Sequence, residues 1–152
     1  MMAKRSDIPR KFFSDAEQRD IVAAIEKAEG RTSGEIRVFL ERDVKEPGGD
    51  PYVRAREVFA LLEMHATAER NGVLVYLAVR TRRFAVVGDE ELHRLVGEDH
   101  WVGVRDLLAE RFAAGRFSEG LVAGITAIGE RLNRHFPPRT DDVNELPDDI
   151  AF

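Results

Sequence analysis

The sequence predicts an α/β domain, a three-layer α/β/α sandwich with a small mixed sheet that is Rossmann-like in its order of elements. Segments with helical periodicity alternate with short runs rich in β-branched and aromatic residues. One such run, Val73 to Val79, is apolar at every position, which is typical of a central strand with helices on both faces. A helical segment separates the first two runs, so we expect those strands to be parallel.

The first half of the chain has clear helix and strand signals. Ser14 and Glu17 have the spacing of a capping box that begins the first helix, and Gly30 is placed to end it in a left-handed conformation. The first strand is predicted at 36–40. The Asp-Pro pair at 50–51 predicts the N-cap and first residue of a second helix. Its predicted buried face is apolar at helical spacing: Ala55, Val58, Phe59 and Leu62.

The second half begins with a hairpin. Val73–Val79 and 84–87 are predicted strands joined by the polar turn 80–83, so the third strand is antiparallel to the second. Asp89 is the predicted N-cap of a short helix that ends at Gly97. Two longer helices follow, ending at Gly115 and before the Pro-Pro pair at 137–138. Their predicted core residues are Trp101, Val104, Leu108, Phe112, Leu121, Ile125, Ile128 and Leu132. Gly120 and Gly124 are predicted to allow close packing on the sheet.

Composition limits the classes of function. The 152 residues fit one domain, 1–136, followed by an acidic tail, 137–152, that we expect over the surface or mobile. A net charge of -5 disfavours nucleic acid as a partner and favours cations or basic proteins. With no cysteine, thiolate catalysis is excluded. The start of the chain lacks a signal sequence and no segment is apolar enough to span a bilayer, so we expect a cytoplasmic protein without membrane insertion.

The predicted topology gathers acidic residues at one end of the sheet, which we call the rim. It comprises the starts of the first two strands and the end of the third. The rim residues are Glu35, Glu69, Arg70, Asn71, Asp89 and Glu90. Their carboxylate and amide oxygens are the ligands that Ca²⁺ or Mg²⁺ prefers. The alternative is structural: Asp89 caps its helix while Glu35 and Glu69 are solvated or paired with Arg70.

Other polar groups give weaker signals. Asp43, Glu46 and Asp50 lie in a glycine-containing loop without the acid spacing of an EF-hand, which favours a solvated loop. His93 and His100 belong to no zinc motif and are predicted to be surface residues.

Three segments carry a family resemblance: Arg70–Leu77, Arg82–Asp89 and Phe112–Leu121. They combine an N-G-V-L strand, a basic turn with a strand ending in glycine, and an F-x-x-G-x-F-x-x-G-L pattern that opens the last helix. Over about residues 14–136 the chain resembles the TPM domain family, which groups a thylakoid-lumen acid phosphatase, a photosystem II repair protein and a modulator of levamisole receptors. It resembles a soluble bacterial branch.

The resemblance implies an α/β/α sandwich, Ca²⁺ binding in some members and weak acid phosphatase activity in a few. We therefore expect a divalent cation, Ca²⁺ or Mg²⁺, held at the rim by Asp89 with some of Glu35, Glu69, Asn71 and Glu90. Phosphatase chemistry would use Asp89 and Arg70, with Arg70 neutralising charge on the transferred group of a phosphorylated small molecule. The alternative is a non-enzymatic module that binds a protein partner during membrane-protein maturation or repair.

Overall fold

The computed structural model of the chain describes residues 5–45, 49–138 and 146–152. The helices in these ranges are Pro9–Phe12 (α1), Asp15–Glu29 (α2), Pro51–Leu61 (α3), Glu90–Val96 (α4), Glu98–Ala113 (α5) and Phe117–His135 (α6). The strands are Glu35–Glu41 (β1), Gly72–Ala78 (β2) and Arg83–Gly88 (β3), and a short 3-10 helix spans Met64–Ala66. The short helix α1 was not predicted, because four residues are too few to show a period.

The three strands form one mixed sheet in the order β1-β2-β3. β1 and β2 are parallel, with Glu35 beside Gly72, and β2 and β3 are antiparallel, with Val73 beside Gly88. Both relations follow from the connections, because a helix-containing crossover returns the chain in the same direction and a tight turn reverses it. The predicted parallel pair and hairpin are confirmed.

Helices cover both faces of the sheet. All seven residues of β2 are buried, and its side chains alternate between two apolar cores. Leu74 and Tyr76 pack on the side of α3, whereas Val73 and Val75 pack on the side of α2, α5 and α6. A strand that is apolar on both faces needs a helical layer on each, and the predicted α/β fold is confirmed.

The helix ends agree with the predicted caps, except at Gly30. The Ser14 hydroxyl accepts from the Glu17 amide at 3.1 Å, and the Glu17 carboxylate accepts from the Ser14 amide at 3.0 Å. Asp50 caps α3 through the Tyr52 amide at 2.9 Å. Gly30 does end α2, but the predicted left-handed conformation is wrong, since its φ is -66°. Gly30 keeps the right-handed helical conformation, and the Arg31 amide donates to the Ala28 carbonyl at 3.1 Å.

The glycines of α6 pack against a helix and not against the sheet. A Cβ atom at Gly124 would lie 2.9 Å from a methyl group of Leu108, and one at Gly120 would lie 2.9 Å from the Phe112 ring. Both neighbours belong to α5. The predicted close packing on the sheet is wrong, because the contact that needs the small residue is the one between α5 and α6. Phe112 is buried as predicted.

The last seven residues close one edge of the sheet. We call 146–152 the C-terminal strap; residues 139–145 of the predicted tail lie outside the described residues. The Ala151 amide donates to the Val38 carbonyl at 2.9 Å, and the Leu40 amide donates to the Ala151 carbonyl at 2.9 Å. Ile150 is 6% exposed in the larger core, while Leu146 packs on the α3 side of the sheet. The expectation of a surface or mobile tail is wrong for Ile150, because β1 offers it both an apolar site and backbone partners.

Candidate functional site

The three chain segments that carry the rim residues lie at one end of the sheet. Asn71 directly precedes β2 and Asp89 directly follows β3. The Asp89 amide donates to the Gly72 carbonyl at 2.9 Å, and the Glu35 amide lies 3.4 Å from the Asn71 carbonyl. These backbone bonds continue the two strand ladders by one residue. They fix the spacing of the three segments.

Asp89 is held from two directions. It is 2% exposed, and one carboxylate oxygen accepts from the Glu91 amide at 3.2 Å, so Asp89 caps α4 as predicted. The other oxygen accepts from Arg70 Nε at 2.9 Å. This hydrogen bond raises the pKa of Arg70 above its usual value. The Arg70 side chain is 48% exposed, so its guanidinium group faces solvent while the Asp89 carboxylate that it contacts is buried.

Ser33, Glu69 and Asn71 form a second polar group on the rim. The Ser33 hydroxyl donates to a Glu69 carboxylate oxygen at 2.8 Å, and Asn71 Nδ2 lies 3.4 Å from both the hydroxyl and that oxygen. Asn71 is 1% exposed, and its Oδ1 accepts no hydrogen bond from the described residues. The Thr67 hydroxyl accepts from the backbone amide of Asn71 at 3.2 Å and fixes the chain before β2. Thr67 is not among the residues predicted from the sequence. A buried amide oxygen normally has a donor or an ion as its partner.

Glu35 interacts with a different set of acids. It is 3% exposed, and its charge contributes to the raised pKa of Glu29, the last residue of α2. Burial is the main cause of that shift, which takes the pKa of Glu29 to about 10, and a hydrogen bond with Asp148 of the strap adds to it. The predicted rim residues therefore belong to separate neighbourhoods: Arg70 with Asp89, Glu69 with Asn71, Glu35 with Glu29, and Glu90 exposed on α4.

The described residues contain no group of three or more acids or histidines that could hold a metal ion by itself. In the loop after β1, Asp43 pairs with Arg80 at 2.5 Å, Asp50 caps α3, and Glu46 lies outside the described residues. Any cation at the rim must therefore use amide, hydroxyl or water oxygens beside one or two carboxylates.

His93 of α4 and His100 of α5 differ in their surroundings. His93 is exposed and lies 3.1 Å from Glu98, with its ring parallel to that of Trp101. His100 is only partly exposed. Burial is the main cause that lowers the pKa of His100 to about 4, which leaves its ring neutral at pH 7. Trp101 packs against Gly88, where a Cβ atom would lie 2.9 Å from its ring.

Comparison with known families decides the classification. The family model described as the TPM domain matches residues 8–131, which include every rim residue named above. The chain belongs to the TPM domain family. This assignment agrees with the three segments from which the resemblance was drawn.

Solved structures give the same fold for this TPM domain. The NMR structure of the BA42 protein from the psychrophilic bacterium Bizionia argentinensis is 41% identical, with a TM-score of 0.85, and the match covers 92% of this chain and 94% of that one. The N-terminal domain of the cg2496 protein from Corynebacterium glutamicum is 16% identical, with a TM-score of 0.60 over 78% of this chain and 72% of that one. An N-terminal domain from P. gingivalis is also 16% identical, with a TM-score of 0.57 over 82% and 78%. These last two share the fold.

A search of curated proteins gave no match to the chain. Among the described residues, no helix is long and apolar enough to cross a membrane.

Proposed function

We propose that this TPM domain binds a divalent cation, Ca²⁺ or Mg²⁺, at the rim. The observation that carries the proposal is the Asn71 side-chain oxygen, which is buried and accepts no hydrogen bond from the described residues. It belongs to a side chain that also lies beside the Glu69 carboxylate and the Ser33 hydroxyl. Hard cations take such oxygen ligands, and a cation would satisfy an acceptor that is otherwise costly to bury.

The proposed ligands come from several segments. Glu69 supplies a carboxylate oxygen that lies 2.8 Å from the Ser33 hydroxyl, and Asn71 supplies its buried side-chain oxygen. Asp89, Glu90 and Glu35 are the further carboxylates of the rim, and Asp89 is engaged by Arg70. A site with few fixed carboxylates leaves most of the coordination shell to water. We therefore expect weak binding, with a Kd of roughly 10⁻⁴ to 10⁻³ M.

The first prediction is that Ca²⁺ raises the melting temperature of the chelator-treated protein, because a ligand that binds the native state stabilises it by mass action. Glu69→Gln and Asp89→Asn should each reduce the rise. Arg70→Asn should enlarge it, since it frees the Asp89 carboxylate and asparagine tolerates the left-handed φ of 53° at position 70. The measurement is calorimetric titration together with thermal unfolding.

The control for location is Asp43→Asn, in the loop at the opposite end of the sheet. It should leave Ca²⁺ binding unchanged. If Asp43→Asn abolishes binding while Glu69→Gln and Asp89→Asn do not, the cation belongs to that loop and the rim proposal fails.

We propose in addition a slow, metal-dependent hydrolysis of phosphate monoesters at the same rim. The support for it is Arg70, a half-exposed guanidinium held in place by Asp89. A planar guanidinium binds phosphoryl oxygens through two parallel hydrogen bonds and neutralises their charge. A bound cation would supply Lewis-acid activation of the phosphoryl group and of water.

The second prediction concerns this activity. The Arg70→Asn protein should hydrolyse a chromogenic phosphate monoester at least about tenfold more slowly than the wild type, because the phosphoryl charge then has no fixed partner. Chelator should have a similar effect, and Arg19→Glu on the exposed surface of α2 should have none. If Arg70→Asn and chelator leave the rate unchanged, the activity is not that of the rim.

The second candidate function is a non-enzymatic module that binds a protein partner. The observation in its favour is the edge of β3, whose outward backbone groups form no backbone hydrogen bond with the described residues. Under this function the Arg70–Asp89 pair only fixes the start of α4.

A further inference from the structure

The two edge strands of the sheet, β1 and β3, differ in the partners of their outward backbone groups. β1 is covered by the C-terminal strap through two backbone hydrogen bonds. On β3, the hydrogen bond between Asp89 and Gly72 fixes which residues face β2. Hydrogen-bonded pairs alternate along an antiparallel ladder, so Ala85 and Val87 face β2 and the backbone groups of Phe84, Val86 and Gly88 face outward. Within the described ranges, these outward groups have no backbone partner.

An open edge strand invites pairing with another chain, and proteins usually protect such edges. Common devices are proline, a bulge or an inward-pointing charge. From Phe84 to Gly88 the sequence contains neither proline nor a charged residue, and its register with β2 is unbroken. β3 therefore keeps the features of a strand that can accept another strand.

The edge of β3 forms the floor of a groove between two helices. A cavity of about 400 Å³ is lined by Phe84, Val86 and Gly88, with Tyr52 of α3 on one side and Trp101 and Arg105 of α5 on the other. A neighbouring cavity of about 560 Å³ shares Tyr52 and Gly88 and reaches the start of α4. The two cavities meet at Tyr52 and Gly88, at the end of the strand.

The groove walls explain why one chain fits there. Ala85, Val86 and Val87 are only 5–6% exposed although they belong to an edge strand, because α3 and α5 overhang it. This leaves room for one extended segment and disfavours a strand that carries flanking helices of its own. In the groove wall, Trp101 is 5% exposed, and its Nε1 donates to no described residue.

Charges at the two ends of β3 have opposite signs. Arg83, at the start of the strand, is exposed and has no ion pair with the described residues. Just beyond its end, at the start of α4, Glu90 is exposed and has no ion pair with the described residues, whereas Glu91 is paired with Arg94 at 2.6 Å. A segment with an acidic residue beside Arg83 and a basic residue beside Glu90 would match both ends.

We propose that the edge of β3 binds an extended segment of a partner protein by strand addition. The segment pairs with the outward backbone groups of Phe84, Val86 and Gly88, places apolar side chains between Tyr52 and Trp101, and carries opposite charges at its ends. Backbone pairing supplies the affinity of such complexes, and alternate side chains supply the specificity. This proposal does not depend on cation binding at the rim.

The test is selection from a phage-displayed library of random dodecapeptides with the wild-type protein as the target. Enriched peptides should lack proline in their centre and carry an acidic residue near one end and a basic residue near the other. In NMR hydrogen exchange, a synthetic copy should slow exchange at the amides of Phe84, Val86 and Gly88. N-methylation of its central amides should abolish binding, which separates strand pairing from simple apolar contact.

Matched variants locate the site. Arg83→Glu should weaken binding at least about tenfold at low salt, and Arg19→Glu on α2 should not. Tyr52→Ala should weaken it, whereas Val53→Ala, a neighbouring exposed residue of α3, should leave it unchanged. The proposal is overturned if no peptide is enriched, or if the N-methylated peptide binds as well as its parent. A wild-type dimer that Arg83→Glu dissociates would make a second copy the occupant and would also overturn it.

Discussion

Removal of the C-terminal strap, residues 146–152, is expected to lower the free energy of unfolding by about 4 kcal/mol. Ile150 is 6% exposed within the larger core, and burying a side chain of this size stabilises a protein by roughly 1.5–3 kcal/mol. Ala151 exchanges two hydrogen bonds of 2.9 Å with Val38 and Leu40, each worth about 1 kcal/mol. Leu146 adds a smaller contact on the other side of the sheet.

The loss should be measured by urea unfolding of a chain that ends at residue 145. The shortened protein should also associate in sedimentation velocity, because its β1 edge is then uncovered. Ile150→Ala removes the apolar contact but keeps the backbone pairing, so it should destabilise without association. Val53→Ala, at an exposed position, is the control for a surface truncation. A shortened chain that stays monomeric and unfolds within about 1 kcal/mol of the wild type would show that the strap is not part of the stable fold.

Local signals in the sequence predict most of the fold. The capping box at Ser14 and the two-sided apolar run at Val73–Val79 depend on residues close together in the chain, and both are confirmed. The strap could not be predicted in the same way. The contact of Ala151 with Phe39 joins residues far apart in sequence, and the acidic composition around it is typical of a solvated tail.

Topology predicts the rim but not its side-chain partners. Once β1 and β2 are parallel and β3 returns, Asn71 and Asp89 must lie at the same end of the sheet. Which side chains meet there depends on rotamers and on neighbours from other elements. Arg70 pairs with Asp89, and Glu35 acts on Glu29, because α2 and the strap bring other acids to that part of β1.

The contact between Glu29 of α2 and Asp148 of the strap is expected to make the stability of the protein depend on pH. Burial first, then the hydrogen bond with Asp148, raises the pKa of Glu29 from 4.5 to about 10. Between these values the folded chain keeps a proton that the unfolded chain releases. The contribution of Glu29 to the free energy of unfolding is therefore greatest below about pH 4.5, and it falls as the pH rises toward 10. Glu29 also accepts from the Ile36 amide at 2.7 Å, so its side chain stays in place while it is neutral.

Glu29→Gln should therefore stabilise the protein at alkaline pH, because glutamine keeps the neutral shape and can both donate to Asp148 and accept from Ile36. Relative to the wild type, we expect a gain on the order of 2 kcal/mol at pH 8 and almost none near pH 4.5. This is less than the full shift implies, since water reaches part of the Glu29 side chain. Urea unfolding across this pH range measures the difference, and Glu26→Gln, at an exposed position of α2, should follow the wild-type curve. If the free energies of unfolding of Glu29→Gln and the wild type differ by a constant amount from pH 4.5 to 8, Glu29 ionises in the folded protein much as it does in the unfolded chain. The contact between Glu29 and the strap then does not make stability depend on pH.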